Sequence, residues 1–257
     1  MKDNISNSVS AFPYGNPHAA GQKSDKANMY VLNGFKLIET GKYREGLSCC
    51  LRSLMIERNN PAAYFGAGLA YKYLNNYDKA IKNFQKSAEI NPDNYKTHYE
   101  TGICYLLKSA PEKALRYFQK SIVIDKTKPD VQLQLALTHE LINEDDMAME
   151  IYDTLIERYP DYIKARSHKA ALLVCRGEYF SACKIFFEIL KINPDFHRAY
   201  LGLAVCFDNI KKIPDAKRFY SKFLKMCPDS YHSNYVKNRI LVLRNQKHER
   251  PEYMSLI

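Results

Sequence analysis

The side chains that most often carry catalysis or bind metal ions are few in this sequence and irregularly spaced. Seven cysteines occur, at positions 49, 50, 104, 175, 183, 206 and 227. No two have the C-x-x-C spacing of a zinc or redox site, and His168 with Cys175, seven residues apart, would supply only two metal ligands. The thiols are therefore predicted to act as small apolar side chains in a reducing compartment, which indicates a cytoplasmic protein.

Sequence motifs of phosphate binding and hydrolysis are missing as well. The chain contains no P-loop, no G-x-S-x-G and no H-E-x-x-H. His98 and His139 stand at positions that favour packing over metal binding. We therefore predict a protein that is not an enzyme, with no catalytic residue, no metal and no cofactor.

The elements that hold these side chains follow a period of 34 residues. Small residues recur at Gly34, Gly68, Gly102, Ala136, Ala170 and Ala204. Alanines recur at Ala80, Ala114, Ala148, Ala182 and Ala216, each followed four residues later by Phe84, Phe118, Tyr152, Phe186 or Tyr220. Four residues make about one helical turn, so each ring lies beside its alanine at a close helix crossing. Each period is predicted to fold as two helices.

This pattern resembles the tetratricopeptide repeat, on the evidence of Tyr64, Gly68, Tyr71, Asn75, Tyr77, Ala80, Phe84 and Pro92. The resemblance implies an all-α fold, a right-handed α-solenoid of antiparallel helix pairs. The predicted repeats, one to six, are 27–60, 61–94, 95–128, 129–162, 163–196 and 197–230. Residues 1–26 are predicted to be a disordered tail, 231–245 a capping helix and 246–257 a short tail.

The resemblance also implies that the first helix of each repeat lines a concave groove. The predicted groove residues are Val31, Phe35, Phe65, Leu69, Tyr99, Ile103, Leu133 and Leu137. An exposed apolar groove would bind an amphipathic helix or an extended peptide, whereas tight curvature would bury the same side chains as core. Family members that clamp the C-terminal carboxylate of a chaperone use Lys and Asn at these positions, so chaperone-tail binding is not predicted.

Charge gives a second candidate surface. The net charge is +10, yet residues 129–162 hold nine acidic residues and one arginine. The predicted docking patch consists of Glu144, Asp145, Asp146, Glu150, Asp153 and Glu157. Like charges four residues apart cost about 0.2–0.5 kcal/mol per pair, which favours a docking patch over a merely solvated face. Stabilisation of a helix N-terminus and pairing with Arg166 and Lys169 are the alternatives.

Together these patterns predict a non-catalytic scaffold or adaptor for an unidentified protein or peptide. Two alternatives are head-to-tail self-association into a multimer and an accessory role in an enzyme complex. Basic residues are spread over the repeats without a base-reading motif, which argues against nucleic acid binding. The sequence has no run of 18 apolar residues, so insertion into a membrane is not predicted. Residues 1–26 lack the apolar core of a signal peptide.

Overall fold

The computed structural model describes residues 22–245, which form thirteen α-helices and no strand. In chain order they are α1 (Gln22–Glu39), α2 (Tyr43–Ile56), α3 (Pro61–Tyr73), α4 (Tyr77–Ile90), α5 (Tyr95–Leu107), α6 (Pro111–Ile124), α7 (Pro129–Leu141), α8 (Asp145–Arg158), α9 (Ile163–Cys175), α10 (Tyr179–Ile192), α11 (His197–Asn209), α12 (Ile213–Met226) and α13 (Ser233–Asn245). The predicted all-α fold of consecutive helix pairs is confirmed.

The N-terminal boundary differs from the predicted one. Helix α1 begins at Gln22, five residues inside the stretch that we predicted to be a tail. Asp25 lies in its first turn, where a carboxylate favours the helix dipole, and Ala27 is fully buried. The helix therefore begins about one turn before the predicted first repeat, with a favourable charge at its start. The rest of the predicted N-terminal tail, and the tail at 246–257, lie outside the described residues.

The chain divides into two compact units, one up to Ala148 and the other from Met149. In the first unit, helices that follow one another from α1 to α7 pack together, with Phe84 and Phe118 fully buried. In the second, helices α9 to α13 pack in the same sequential manner around Tyr220 and Leu243. None of the helices between residues 22 and 245 has the length and apolar content that crossing a bilayer requires.

Close helix crossings explain the series of small residues. A Cβ atom at Gly68 would lie 2.5 Å from Cε1 of Phe84, and one at Gly102 would lie 2.7 Å from Cε1 of Phe118. Real Cβ atoms do not approach a ring so closely, so any larger residue would push the aromatic ring out of its place. Glycine at these crossings therefore leaves room for the ring that fills the core of the second and third repeats.

The turn between the two helices of each repeat contains one residue with left-handed backbone. These residues are spaced by one repeat, with φ between 55° and 79°, at Gly41, Asn75, Ser109, Asn143, Gly177 and Lys211. Glycine and asparagine adopt this conformation readily, whereas other L-residues lose about 1–2 kcal/mol in it. Ser109 and Lys211 are thus the two strained turns among the six.

Replacing Lys211 by glycine is expected to raise the free energy of unfolding by about 0.5–1 kcal/mol. The φ of 62° at Lys211 suits glycine, and the gain is limited because glycine adds conformational entropy to the unfolded chain. Urea unfolding followed by circular dichroism measures the change. The reciprocal variant Gly177→Lys, at the same place in the preceding repeat, should lose a similar amount. A lower midpoint for Lys211→Gly would contradict the assignment of strain.

Candidate functional site

Five of the eight predicted groove residues lie in the core. Val31, Phe35, Phe65, Leu69 and Leu133 are each at most 8% exposed. The ring centroids of Phe35 and Phe65 are 6.2 Å apart, and those of Phe65 and Phe84 are 5.6 Å apart. Packed between helices in this way, these side chains are core residues of the folded protein and offer no surface to a partner.

The other three predicted groove residues are partly exposed, and the apolar stripe continues beyond them on both of their helices. Tyr99 and Ile103 lie on α5, and Leu137 lies on α7. One turn further on, Leu107 is 51% exposed and Leu141 is 62% exposed. We call these five residues the α5–α7 apolar surface. The two leucines are four residues beyond Ile103 and Leu137, a spacing that would have identified them had the predicted stripe been continued by one turn.

A buried ion pair joins α3 to α5. The ammonium nitrogen of Lys72 lies 2.6 Å from Oε2 of Glu100, and each side chain is only 12% exposed. Burial alone would lower the pKa of Lys72, but the charge and hydrogen bond of Glu100, together with the nearby Tyr73 and Cys104, outweigh burial, and the pKa is raised. The ammonium also lies 4.6 Å from the ring centroid of Tyr73. Lys72 is therefore held by Glu100 as a charged group inside the protein.

The predicted acidic patch follows α8 and the residue before it. Glu144, Asp146, Glu150, Asp153 and Glu157 are exposed, and Asp145 is half-buried. Glu144 and Asp153 have partners within the chain: an oxygen of Glu144 lies 2.6 Å from Nδ1 of His139, and Asp153 is paired with Lys169. Arg166, the other predicted cation, instead donates to the carbonyl of Pro160. Part of the acidic charge is thus used to connect α8 with α9.

A second buried charge, not expected from the sequence, lies near the end of the described chain. Asp208 of α11 is 5% exposed. Arg239 of α13 donates to both of its carboxylate oxygens, from Nε at 2.6 Å and from Nη2 at 2.7 Å. The hydroxyl of Tyr220 donates to the same carboxylate at 3.2 Å. This network holds α13 against α11 and α12.

Cys50, Cys104 and His168 are in packing environments, whereas Cys175 is exposed. Burial raises the pKa of Cys50 and of Cys104 to about 12, so both are protonated thiols at neutral pH. The ring of His168 stacks on Tyr152 with centroids 6.3 Å apart. Between residues 22 and 245, no three His, Cys, Asp or Glu side chains are grouped as ligands for a metal ion.

Comparison with known proteins agrees with the helix pairs. Residues 61–94 match one family model of the tetratricopeptide repeat, and residues 130–162 and 198–230 match another. With thirteen helices in consecutive pairs over residues 22–245, these matches show that the chain belongs to the tetratricopeptide repeat family. Repeats of this family build scaffolds for protein–protein interaction in general.

Three similar proteins illustrate the extent of the likeness. Tetratricopeptide repeat protein 12 of Mus musculus is 36% identical over 72 residues, which are 28% of this chain and 10% of that protein. The crystal structure of PilW, a widely conserved type IV pilus biogenesis factor, has a TM-score of 0.72 at 17% identity, covering 85% of this chain and 100% of PilW. YrrB, a tetratricopeptide repeat protein with an unusual peptide-binding site, has a TM-score of 0.58 at 16% identity, covering 74% of this chain and 97% of YrrB.

Proposed function

We propose that this protein is a non-catalytic scaffold that binds an amphipathic segment of a partner protein on the α5–α7 apolar surface. The observation that carries the proposal is the exposure of Leu107 and Leu141, at 51% and 62%, beside the half-buried Ile103 and Leu137. Two helices in consecutive repeats each present an apolar pair one turn apart. That spacing suits the apolar side chains of a peptide helix or an extended strand laid across them.

The experiment for this surface pairs binding with stability. The double variant Leu107→Ser/Leu141→Ser is expected to lose capture of peptides selected from a displayed library, while its melting temperature stays within a few degrees of wild type, since exposed substitutions change stability by about 0.5 kcal/mol or less. Leu32→Ser on α1, where Leu32 is 50% exposed, is the matched control and should retain capture. Full peptide capture by the double variant would refute the proposed surface.

We further propose that the acids of α8 form a docking patch for a basic surface. Support comes from the exposure of Glu150 and Glu157 in a chain whose net charge is +10. Exposed charges of this kind steer association and are screened by salt, so binding through them weakens as the ionic strength rises. All seven cysteines are free thiols, and on that ground we propose a cytoplasmic location.

A further inference from the structure

Helix α10 exposes phenylalanine at two positions where α4, α6 and α8 have polar side chains. Phe180 is 73% exposed and Phe187 is 40% exposed. Three repeats earlier, the equivalent positions of α4 hold Asp78 and Gln85. The fold therefore accepts polar residues at both places, and the aromatic side chains are a property of the fifth repeat. Exposed aromatic rings of this size are costly in water and mark interaction surfaces.

Basic residues alternate with these rings on the same helical face. Lys184 and Lys191 are exposed, each one turn after a phenylalanine, and we call Phe180, Lys184, Phe187 and Lys191 the α10 face. Phe187 packs against two other rings, because its ring centroid lies 6.4 Å from that of Phe207 and 6.0 Å from that of Phe219. The α10 face thus presents two rings and two cations, and neighbouring rings hold Phe187 in place. It fits a partner with carboxylates at matching spacing.

Helix α8 carries such carboxylates at the same positions of the preceding repeat. Glu150 and Glu157 are exposed and stand one 34-residue period before Lys184 and Lys191. Asp153, one period before Phe187, is paired within the chain to Lys169 of α9. Because α9 packs against α10, the described part of the chain from Met149 onward has α8 and α10 flanking α9.

We propose that the α10 face binds α8 of a second copy of this chain in an isologous dimer. A two-fold axis parallel to the two helices sets α8 of each copy over α10 of the other. Since α8 and α10 share one register, Glu150 then meets Lys184 of the second copy, and Glu157 meets Lys191 of the second copy. The inference rests on the proposed acidic docking patch and names its partner.

The two kinds of contact have different roles in this dimer. Exposed ion pairs contribute little affinity, so the pairs of Glu150 and Glu157 set the register and exclude wrong partners. In the same register Phe180 and Phe187 lie opposite Asp146 and Asp153 of the second copy, so α8 covers part of the two rings and removes that part of their apolar surface from water. An anionic lipid surface is a poorer occupant, because it would be repelled by the glutamates of the neighbouring α8.

The test is the mass of the full chain by sedimentation velocity at low and high salt. Wild type is expected to dimerise at low salt, with a dissociation constant that rises with salt. Lys184→Glu/Lys191→Glu and Glu150→Lys/Glu157→Lys should each weaken dimerisation at least about tenfold through repulsion between like charges. An equimolar mixture of the two variants should form a heterodimer, because both α8–α10 contacts then pair opposite charges.

Two further variants separate apolar contact from general damage. Phe187→Gln carries the side chain that α4 has at this position, so the fold is retained, and dimerisation should weaken at least about tenfold because contact of the ring with α8 of the second copy is lost. Lys82→Glu, at the position in α4 that corresponds to Lys184, should leave the dimer unchanged. Helical circular dichroism of each variant verifies that it is folded.

Other outcomes would overturn the proposal. A mass that grows beyond the dimer would indicate head-to-tail multimers. If the mixture of the two charge-reversed variants remained monomeric, the proposed pairing of α8 with α10 would be wrong. If wild type stayed monomeric and sedimented with phosphatidylserine vesicles, and if Lys184→Glu/Lys191→Glu did not sediment with them, the α10 face would be assigned to lipid binding. Failure of the scaffold proposal can be told apart from failure of the dimer proposal, because peptide capture by Leu107→Ser/Leu141→Ser is measured independently of dimerisation.

Discussion

Replacing Arg239 by alanine is expected to lower the free energy of unfolding of the second compact unit by about 3–5 kcal/mol. Asp208 is 5% exposed and receives two hydrogen bonds from the guanidinium. Without Arg239, the buried carboxylate of Asp208 would lose its cationic partner and keep the hydroxyl of Tyr220 as a donor. The cost is that of an uncompensated charge and exceeds the value of the ion pair itself.

Urea unfolding with a double variant isolates this cause. Asp208→Leu/Arg239→Met removes both charges and should recover most of the loss, because a buried pair replaced by apolar side chains is often neutral in stability. Lys237→Ala, an exposed change on the same helix, should shift the free energy by about 0.5 kcal/mol or less. If Arg239→Ala unfolded at the wild-type midpoint, the network would have no role in holding α13.

Replacing Leu69 by serine is expected to destabilise the first compact unit by about 3–5 kcal/mol. Leu69 is 8% exposed and lies among the buried residues around Phe35, Phe65 and Phe84. Loss of a buried leucine leaves a cavity, and a serine hydroxyl placed there lacks the water that it would otherwise bond. In a repeat protein this loss is expected to appear as melting of the neighbouring repeats before the others.

Thermal melting and amide hydrogen exchange measure the size and place of this effect. Leu107→Ser is the control, because Leu107 is 51% exposed and should melt near wild type. A Leu69→Ser protein that melted normally and yet lost peptide capture would show that Leu69 belongs to an accessible groove after all. The pair of variants therefore decides between core and binding surface for the predicted stripe.

The helix pairs were predictable because their determinants are local and repeated. Gly68 with Phe84 illustrates this: a small residue and a ring one helix apart recur every 34 residues, and the structure places them in contact. Burial of the groove stripe was not predictable in the same way. Whether Phe35 and Phe65 face solvent depends on how closely α1 and α3 approach each other, and this distance is set by packing among several helices.

The two buried ion pairs could not be predicted from the sequence for another reason. Lys72 and Glu100 are 28 residues apart, and Asp208 and Arg239 are 31 apart, so neither pair has the spacing of neighbours on one helix. Basic and acidic residues are common on every helix, and nothing in their types shows which will meet. In contrast, the exposed rings of α10 could have been found by comparing Phe180 and Phe187 with their equivalents in the other repeats.

Because consecutive helices pack together within each of the two compact units, the order of synthesis matches the order of packing in each unit. Contacts between residues close in the chain require little loop closure, so helical proteins of this kind fold in microseconds to milliseconds. Translation adds about 5–20 residues per second, which is far slower. Helices α3 and α4 therefore have time to close over Phe84 while the later repeats are still being made on the ribosome.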